Sequence, residues 1–329
     1  MITTWPEPER LRLPARIGAA GNTIEAIEIM AYTARNGPAI VLSHGFPEIA
    51  YSWRHQVQPL VEAGYRVIIP DQRGYGLSDA PTGIEEYDLE HLMADLIGLL
   101  DAQGIERAMF VGHDWGGAVV WALPLYYPER VAGVIGVNTP YMAFPSSTLL
   151  RSIYPDASSS YALWFQQPGI AEGVLDGRVG DVIDKLYRRM SRVQMERAFE
   201  TESGRLNPFR DLDEESRQGQ PLLNEQERQH YVSSFEHSGF RGGINWYRNL
   251  DRNRTLFPAI GNDPLAIPCL MITTDSDVAL PPGMTDRMKS SCADLELHVL
   301  ENCGHWTQQE QPDRLNSVMV DWLTRRYLD

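Results

Sequence analysis

"FVGHDWGGAVVW", residues 110–121, decides how the rest of the chain is read. An apolar run closes on Gly112 and a helix-forming run opens at Trp115, so the segment reads strand, tight turn, helix. Small residues at Gly112 and Gly116 let the turn be sharp enough to push Asp114 out at the top of a sheet. This is the arrangement of a nucleophile elbow, with aspartate where serine is usual. The helix that follows points its N-terminus at the carboxylate and favours the ionised form. Taken alone, Gly-x-Asp-x-Gly also fits a helix-capping aspartate, and motifs this short recur by chance.

The surroundings supply the missing context. Short apolar runs ending in polar or glycine-rich residues recur at 39–45 ("AIVLSHG"), 65–71 ("YRVIIPD"), 108–114 ("AMFVGHD"), 131–138 ("VAGVIGVN"), 268–275 ("PCLMITTD") and 295–301 ("LELHVLE"). Continuous runs of this length suit strands covered on both faces, as in a parallel sheet. Between them lie helical patterns. Leu89, Leu92, Met93, Leu96, Leu99 and Leu100 form one face, with Gly104 as a stop, and residues 313–328 carry a stripe of Leu315, Val318, Met319, Trp322 and Leu323. Strand–helix alternation predicts an α/β fold with a doubly wound, mostly parallel sheet. Residues 23–34 ("TIEAIEIMAYTA") are expected to add antiparallel strands at one edge.

The alternation breaks between about Pro140 and Leu250, where the pattern turns helical and aromatic. One helix start is legible at Asn224, with Glu227 placed to return the capping bond and Tyr231, Val232 and Phe235 forming the apolar face. The expected organisation is a first core part over 1–139, an inserted helical lid over 140–250 and a second core part over 251–329. A lid in that position covers the strand ends where α/β sheets place their sites.

Composition narrows the function. The 329 residues carry 29 Lys and Arg against 44 Asp and Glu, a formal net charge of −15, which disfavours nucleic acid and anionic membranes. No apolar run approaches the ~20 residues of a membrane helix, so membrane insertion is not expected. The N-terminal "MITTWPEPERLRLP" lacks the apolar stretch of a secretory signal, and the chain reads as cytoplasmic. Cys269, Cys292 and Cys303 form no metal-binding pattern, and Cys303, two residues before His305, reads as a small buried filler. Nothing separates a monomer from a homodimer.

Two loops complete a site around Asp114. An elbow fold places its catalytic groups in the chain order nucleophile, acid, histidine. "ENCGHWTQQ" (301–309) puts His305 just after the last strand, and "TTDSDVALP" (273–281) puts Asp275 and Asp277 after the preceding one. The other acid position, after 131–137, holds Asn138, which cannot orient an imidazolium by charge. "LSHGFPE" (42–48) supplies an oxyanion loop, with the backbone N–H groups of Phe46 and Trp115 as donors. His91, His230 and His237 fall in helical patterns and His298 in a strand, as ordinary surface or core residues.

Across most of its length the chain resembles the soluble epoxide hydrolases of the α/β-hydrolase superfamily. The resemblance is carried by "HGFPE", "YSWRHQ", "DQRGYGLSD", "GHDWGG", "YPERV", "FQQPGIAE", "SGFRGGINWYRN" and "CGHWTQ". It implies an α/β-hydrolase fold with a helical cap, Asp277 as the acid, and two lid tyrosines that hold an epoxide oxygen. "YALWFQQPG" (161–169) matches the first at Tyr161, with Phe165 as a pocket wall, and "NWYRN" (245–249) matches the second at Tyr247. The implied reaction converts a neutral hydrophobic epoxide and water to a 1,2-diol through an ester on Asp114, with no metal or organic cofactor. Phe46, Trp115, Trp164, Phe165, Trp246 and Trp306 are available to line an aromatic cavity, and each equally fits core packing. Two other readings remain. A haloalkane dehalogenase also uses an elbow aspartate, but position 46 is Phe, whose ring has no N–H for a halide. A small-molecule receptor on the same scaffold has no need of Asp114, Asp277, His305, Tyr161 and Tyr247 together.

Overall fold

The computed structural model describes residues 5–198, 205–209 and 211–327. Residues 1–4 of the N-terminal stretch read above, residues 199–204 and 210 of the expected insertion, and residues 328–329 after the last helical stripe lie outside them. Eight strands form one sheet: β1 (Pro8–Leu13), β2 (Ile27–Ala34), β3 (Ala39–Ser43), β4 (Arg66–Asp71), β5 (Ala108–His113), β6 (Val131–Val137), β7 (Leu265–Thr274) and β8 (Cys292–Leu300). Their spatial order is β1-β2-β4-β3-β5-β6-β7-β8. From β3 to β8 the strands run parallel. β2 is antiparallel to both β1 and β4.

The predicted antiparallel strand at 23–34 is therefore present as β2, but it is not the edge. β1 takes the edge, with Leu11 and Leu13 buried and Arg10 and Arg12 exposed, the one-sided pattern of a strand that faces water. Thr23–Ile24 pairs instead with Arg16–Ile17 in a separate ribbon.

The unbroken apolar runs are explained by burial on both faces. Val41, Phe110 and Val134 point to one layer, where they meet helices α2 (Leu89–Ala102) and α3 (Trp115–Tyr126). Their neighbours Ile40, Leu42, Val111 and Ile135 point to the other, against α1 (Arg54–Glu62) and the C-terminal helix Pro312–Arg326. That last helix buries Leu315, Met319, Trp322 and Leu323, four of the five residues of the predicted stripe. Each such side chain contributes about 1.5–3 kcal/mol of burial.

Between β6 and β7 the chain leaves the sheet. This stretch carries α4 (Tyr161–Trp164), α5 (Val179–Leu186), α6 (Glu225–Ser238) and α7 (Arg241–Arg248), with the C-terminal helix following as α8. α6 starts as its sequence requires: Asn224 accepts from the Glu227 amide and Glu227 accepts from the Asn224 amide, each at 2.9 Å. Tyr231, Val232 and Phe235 form its buried side. Among the described residues no helix is long and apolar enough to cross a membrane.

Candidate active site

Asp114 sits between β5 and α3 with φ +50° and ψ −125°, a conformation that a residue with a side chain rarely adopts. Strain of this kind costs about 1–3 kcal/mol and persists only where the surroundings over-determine it. Two glycines do so. A Cβ on Gly116 would stand 2.1 Å from the Ser43 carbonyl oxygen, so only glycine lets α3 begin against the end of β3. A Cβ on Gly45 would stand 2.3 Å from Asp114 Oδ1, so the loop after β3 can lie directly on the carboxylate. The Phe46 N–H donates to Oδ1 at 2.8 Å, and the Trp115 amide stands next to the carboxylate. The Asp114 side chain makes no capping bond to α3, which removes the helix-cap reading. Burial pushes its pKa above the usual carboxylate range, and the nearby His305, His113 and two amides offset that only in part.

Opposite Asp114 stands His305, five residues beyond β8. Its Nε2 is 3.8 Å from Asp114 Oδ2, and its Nδ1 is 2.8 Å from Asp277 Oδ2. Asp277, not Asp275, is thus the carboxylate beside the imidazole. Asp275 instead accepts the amides of Asn302 at 2.9 Å and Cys303 at 3.3 Å, bracing the start of the histidine loop. Burial opposes ionisation of Asp277, but His305, the Leu280 amide and Asn138 outweigh it and hold the pKa at about 2. His305 is likewise penalised by burial. The charge and hydrogen bond of Asp277, then the charges of Asp114 and Glu48, raise it to about 9.

Three polar residues escaped the sequence reading as parts of this site. Asn138, weighed only as a substitute acid, donates to Asp277 Oδ2 at 2.9 Å and to the Gly304 carbonyl at 3.3 Å, and accepts from Thr307 Oγ1 at 2.6 Å. It orients the acid rather than replacing it. Its position directly after β6 was the available signal. The other two are Glu48 and His113, a fully buried pair 2.7 Å apart beside the loop that follows β3. Glu48 Oε2 also accepts the Gly45 amide at 2.7 Å, and His113 Nε2 lies 2.8 Å from the His305 carbonyl oxygen. Both ring nitrogens of His113 therefore lie against oxygen atoms, one of a carboxylate and one of a carbonyl. Glu48→Ala leaves the buried His113 Nδ1 and the Gly45 amide without their partner and is expected to destabilise the fold by about 1–3 kcal/mol. Denaturant unfolding reads this, and a loss below about 0.5 kcal/mol would contradict a structural role for these contacts.

Asp114 and His305 open onto a cavity of about 390 Å³, including its mouth to solvent, lined also by Phe46, Pro47, Tyr161, Leu186, Pro208, Phe209, Tyr247, Ala279 and Trp306. Tyr161 opens α4, and Tyr247 lies in α7. Their rings meet edge to face with centroids 5.6 Å apart. Burial, then the charge of Asp114, raises both phenols above their ordinary range.

Of the six aromatic residues expected on the wall, Phe46 and Trp306 line the cavity. The other four stand behind it. Phe165 and Trp115 pack on the Tyr247 ring at 5.1 and 5.0 Å, Trp246 is fully buried against Trp115 and Tyr75, and Trp164 packs on Phe165. Their bulk is spent holding Tyr247 and its helix in place. Leu186, Pro208 and Phe209 take the wall positions instead, on stretches whose sequence shows no distinctive motif.

A family model described as the alpha/beta hydrolase fold matches residues 38–312. Over 297 residues the chain is 39% identical to epoxide hydrolase A of Mycobacterium tuberculosis (strain ATCC 25618 / H37Rv), covering 87% of this chain and 90% of that protein. It is also 39% identical over 289 residues to bifunctional epoxide hydrolase 2 of Sus scrofa, covering 88% of this chain but 52% of the relative. The chain thus spans about half the length of that mammalian relative. The crystal structure of epoxide hydrolase A from Mycobacterium thermoresistibile superposes with a TM-score of 0.84 at 36% identity, covering 98% of this chain and 100% of that one.

Proposed function

Since the chain belongs to the α/β-hydrolase fold family and, within it, to the epoxide hydrolases, we propose that it hydrolyses a neutral, hydrophobic epoxide through an ester on Asp114. The observation that carries this reading is the cavity itself, where one carboxylate faces an acid-braced histidine and two paired phenols across an otherwise apolar wall. The stretch of helices between β6 and β7 acts as the lid, and Tyr161 and Tyr247 are its working residues.

In the first half-reaction an Asp114 oxygen attacks an epoxide carbon and the ring C–O bond breaks. A carboxylate needs no deprotonation to do this, provided that it is ionised. Tyr161 and Tyr247 hydrogen-bond the departing oxygen and supply its proton. Their raised pKa values keep them protonated until then. Esterification removes the negative charge of Asp114, one cause of those raised values, so the phenols become better acids as the alkoxide forms.

The same loss of charge switches His305. At about 9 it is protonated in the resting site at neutral pH, held so by the carboxylates of Asp277, Asp114 and Glu48. With Asp114 esterified one of these is gone, the pKa falls, and a neutral imidazole becomes available as base. It then deprotonates a water that adds to the Asp114 carbonyl. The Phe46 and Trp115 amides stand where the resulting oxyanion develops. Collapse expels the diol and returns Asp114 with one oxygen from water.

A pH dependence follows, with opposite group behaviour in the two halves. Ester formation requires ionised Asp114, so its rate falls as pH drops through a pKa above the usual carboxylate range. Ester hydrolysis requires neutral His305, so its rate rises with pH and levels off below the resting value of about 9. Single-turnover rates measured from pH 5 to 10 separate the halves. A hydrolysis limb that levels off only above 9 would contradict the switch.

The reading as a whole is tested with purified protein and styrene oxide, with a chloroalkane in parallel. Diol is expected from the parent chain and none from Asp114→Ala. Halide release without diol would move the assignment to a dehalogenase, and equal diol from both proteins would remove Asp114 as nucleophile.

A further inference from the structure

Glu310 ends the short helical turn Thr307–Glu310, five residues past His305. Its side chain turns back toward the histidine loop, and the residue is only 3% exposed. Oε2 accepts the Gly304 N–H at 2.9 Å, and Oε1 accepts the Trp306 N–H at 3.1 Å. One carboxylate therefore holds the amides on both sides of His305. A Cβ on Gly304 would come 2.8 Å from Oε1, so the loop is as close to the carboxylate as a glycine allows. Arg189, in a two-residue strand after α5, donates to the Glu310 carbonyl oxygen and fixes the turn from the other side.

Burying a carboxylate here is costly. Burial pushes Glu310 above the usual range, and the Gly304 and Trp306 amides with Arg189 and His305 offset that only in part. A carboxylate nonetheless has what this position requires: two acceptor atoms and no donor, facing two N–H groups. Glutamine would offer one acceptor and turn an N–H against a backbone N–H. The benefit falls on His305, whose ring must keep Nδ1 on Asp277 while Nε2 stays aimed beside Asp114. A misplacement of 1 Å at such a base costs on the order of 10²-fold in rate.

We infer that Glu310 is the positioning residue of the base: by gripping the peptide on either side of His305 it serves ester hydrolysis and leaves ester formation alone. The inference rests on the hydrolase reading above. Ester formation uses Asp114 and the two phenols, none of which Glu310 touches, whereas hydrolysis depends on the aim of the imidazole. A merely structural side chain would not divide the two halves in this way.

Rapid mixing of Glu310→Gln with styrene oxide, followed by acid quench and mass measurement of protein and diol, tests this. Ester is expected to form within about threefold of the parent rate and to decay about tenfold or more slowly, so that it accumulates and kcat and KM fall together. Unchanged decay, or both halves slowed equally, would overturn the inference. If the variant does not fold, hydrogen exchange in the parent chain decides. The Gly304 and Trp306 amides are expected to be protected like those of β8, and exchange at open-loop rates would overturn the grip. Absence of both ester and diol from the parent chain would instead fail the hydrolase reading, with the exchange result still testing the grip.

Discussion

His305→Gln is expected to stop at the first half of the reaction, accumulating one ester per chain while steady-state diol formation falls by about 10³-fold or more. Asp114, the oxyanion amides and both phenols are untouched by this change, so the carboxylate can still open the ring. What is lost is the base that takes a proton from water. Glutamine also removes the positive charge that lowers the pKa of Asp114, so ester formation should slow modestly at acid pH. Intact-protein mass spectrometry after mixing with styrene oxide reads the adduct as an increase equal to the whole substrate. A variant that loses diol formation without gaining mass would place His305 in the first half-reaction and contradict the division of labour proposed for the site.

The second large effect is expected at the tyrosines and has the opposite signature. Tyr161→Phe or Tyr247→Phe should slow ester formation by about 10²-fold, and the double variant by about 10⁴-fold, because general-acid assistance is typically worth 10²–10⁴. The two losses multiply in the double variant because each phenol gives its own hydrogen bond to the departing oxygen. Away from the cavity both rings are packed, Tyr247 by Phe46, Trp115, Phe165 and Tyr161, and Tyr161 by Phe165 and Phe209, so removing the oxygen alone should leave the fold intact. No ester should build up in the double variant. Accumulated ester there would mean that the tyrosines act after ring opening.

Much of the fold was legible because its strands are buried on both faces. Each run from 39–45 to 131–138 corresponds to a strand within two residues of the expected ends, and the α6 capping box formed between the two residues named for it. The edge strand was missed for a physical reason. Four of its six residues face solvent, and its Arg–Leu alternation over 10–13 lies beside a proline-rich start that reads as irregular. β7 and β8 each begin three residues earlier than expected, where one buried residue, Leu265 or Cys292, is followed by exposed and partly buried ones and the apolar signal fades.

For the site, a different limit applies. Asp114 and His305 stand at strand ends, where chain order predicts position, and the cavity brings them together with Tyr161 and Tyr247. Asn138, Glu48 and His113 act through contacts between segments distant in sequence, and spacing carries no trace of those contacts. Glu310, by contrast, grips amides only four and six residues back, in a turn that its residue type does not mark. Nor does residue type alone tell a wall residue from its support. Trp246 and Phe165 share their chemistry with Trp306 and Phe209, and only packing distinguishes the two pairs.

The central claim is that an Asp114 oxygen, not water, makes the first bond to substrate. A single turnover in ¹⁸O-water, with enzyme in excess over styrene oxide, tests it most directly, the protein being digested afterwards and the Asp114 peptide weighed. The account predicts one ¹⁸O in that peptide and none in the diol, since the diol carries away an original Asp114 oxygen. Label in the first-turnover diol, with none in the peptide, would contradict it and make Asp114 a base for direct attack by water.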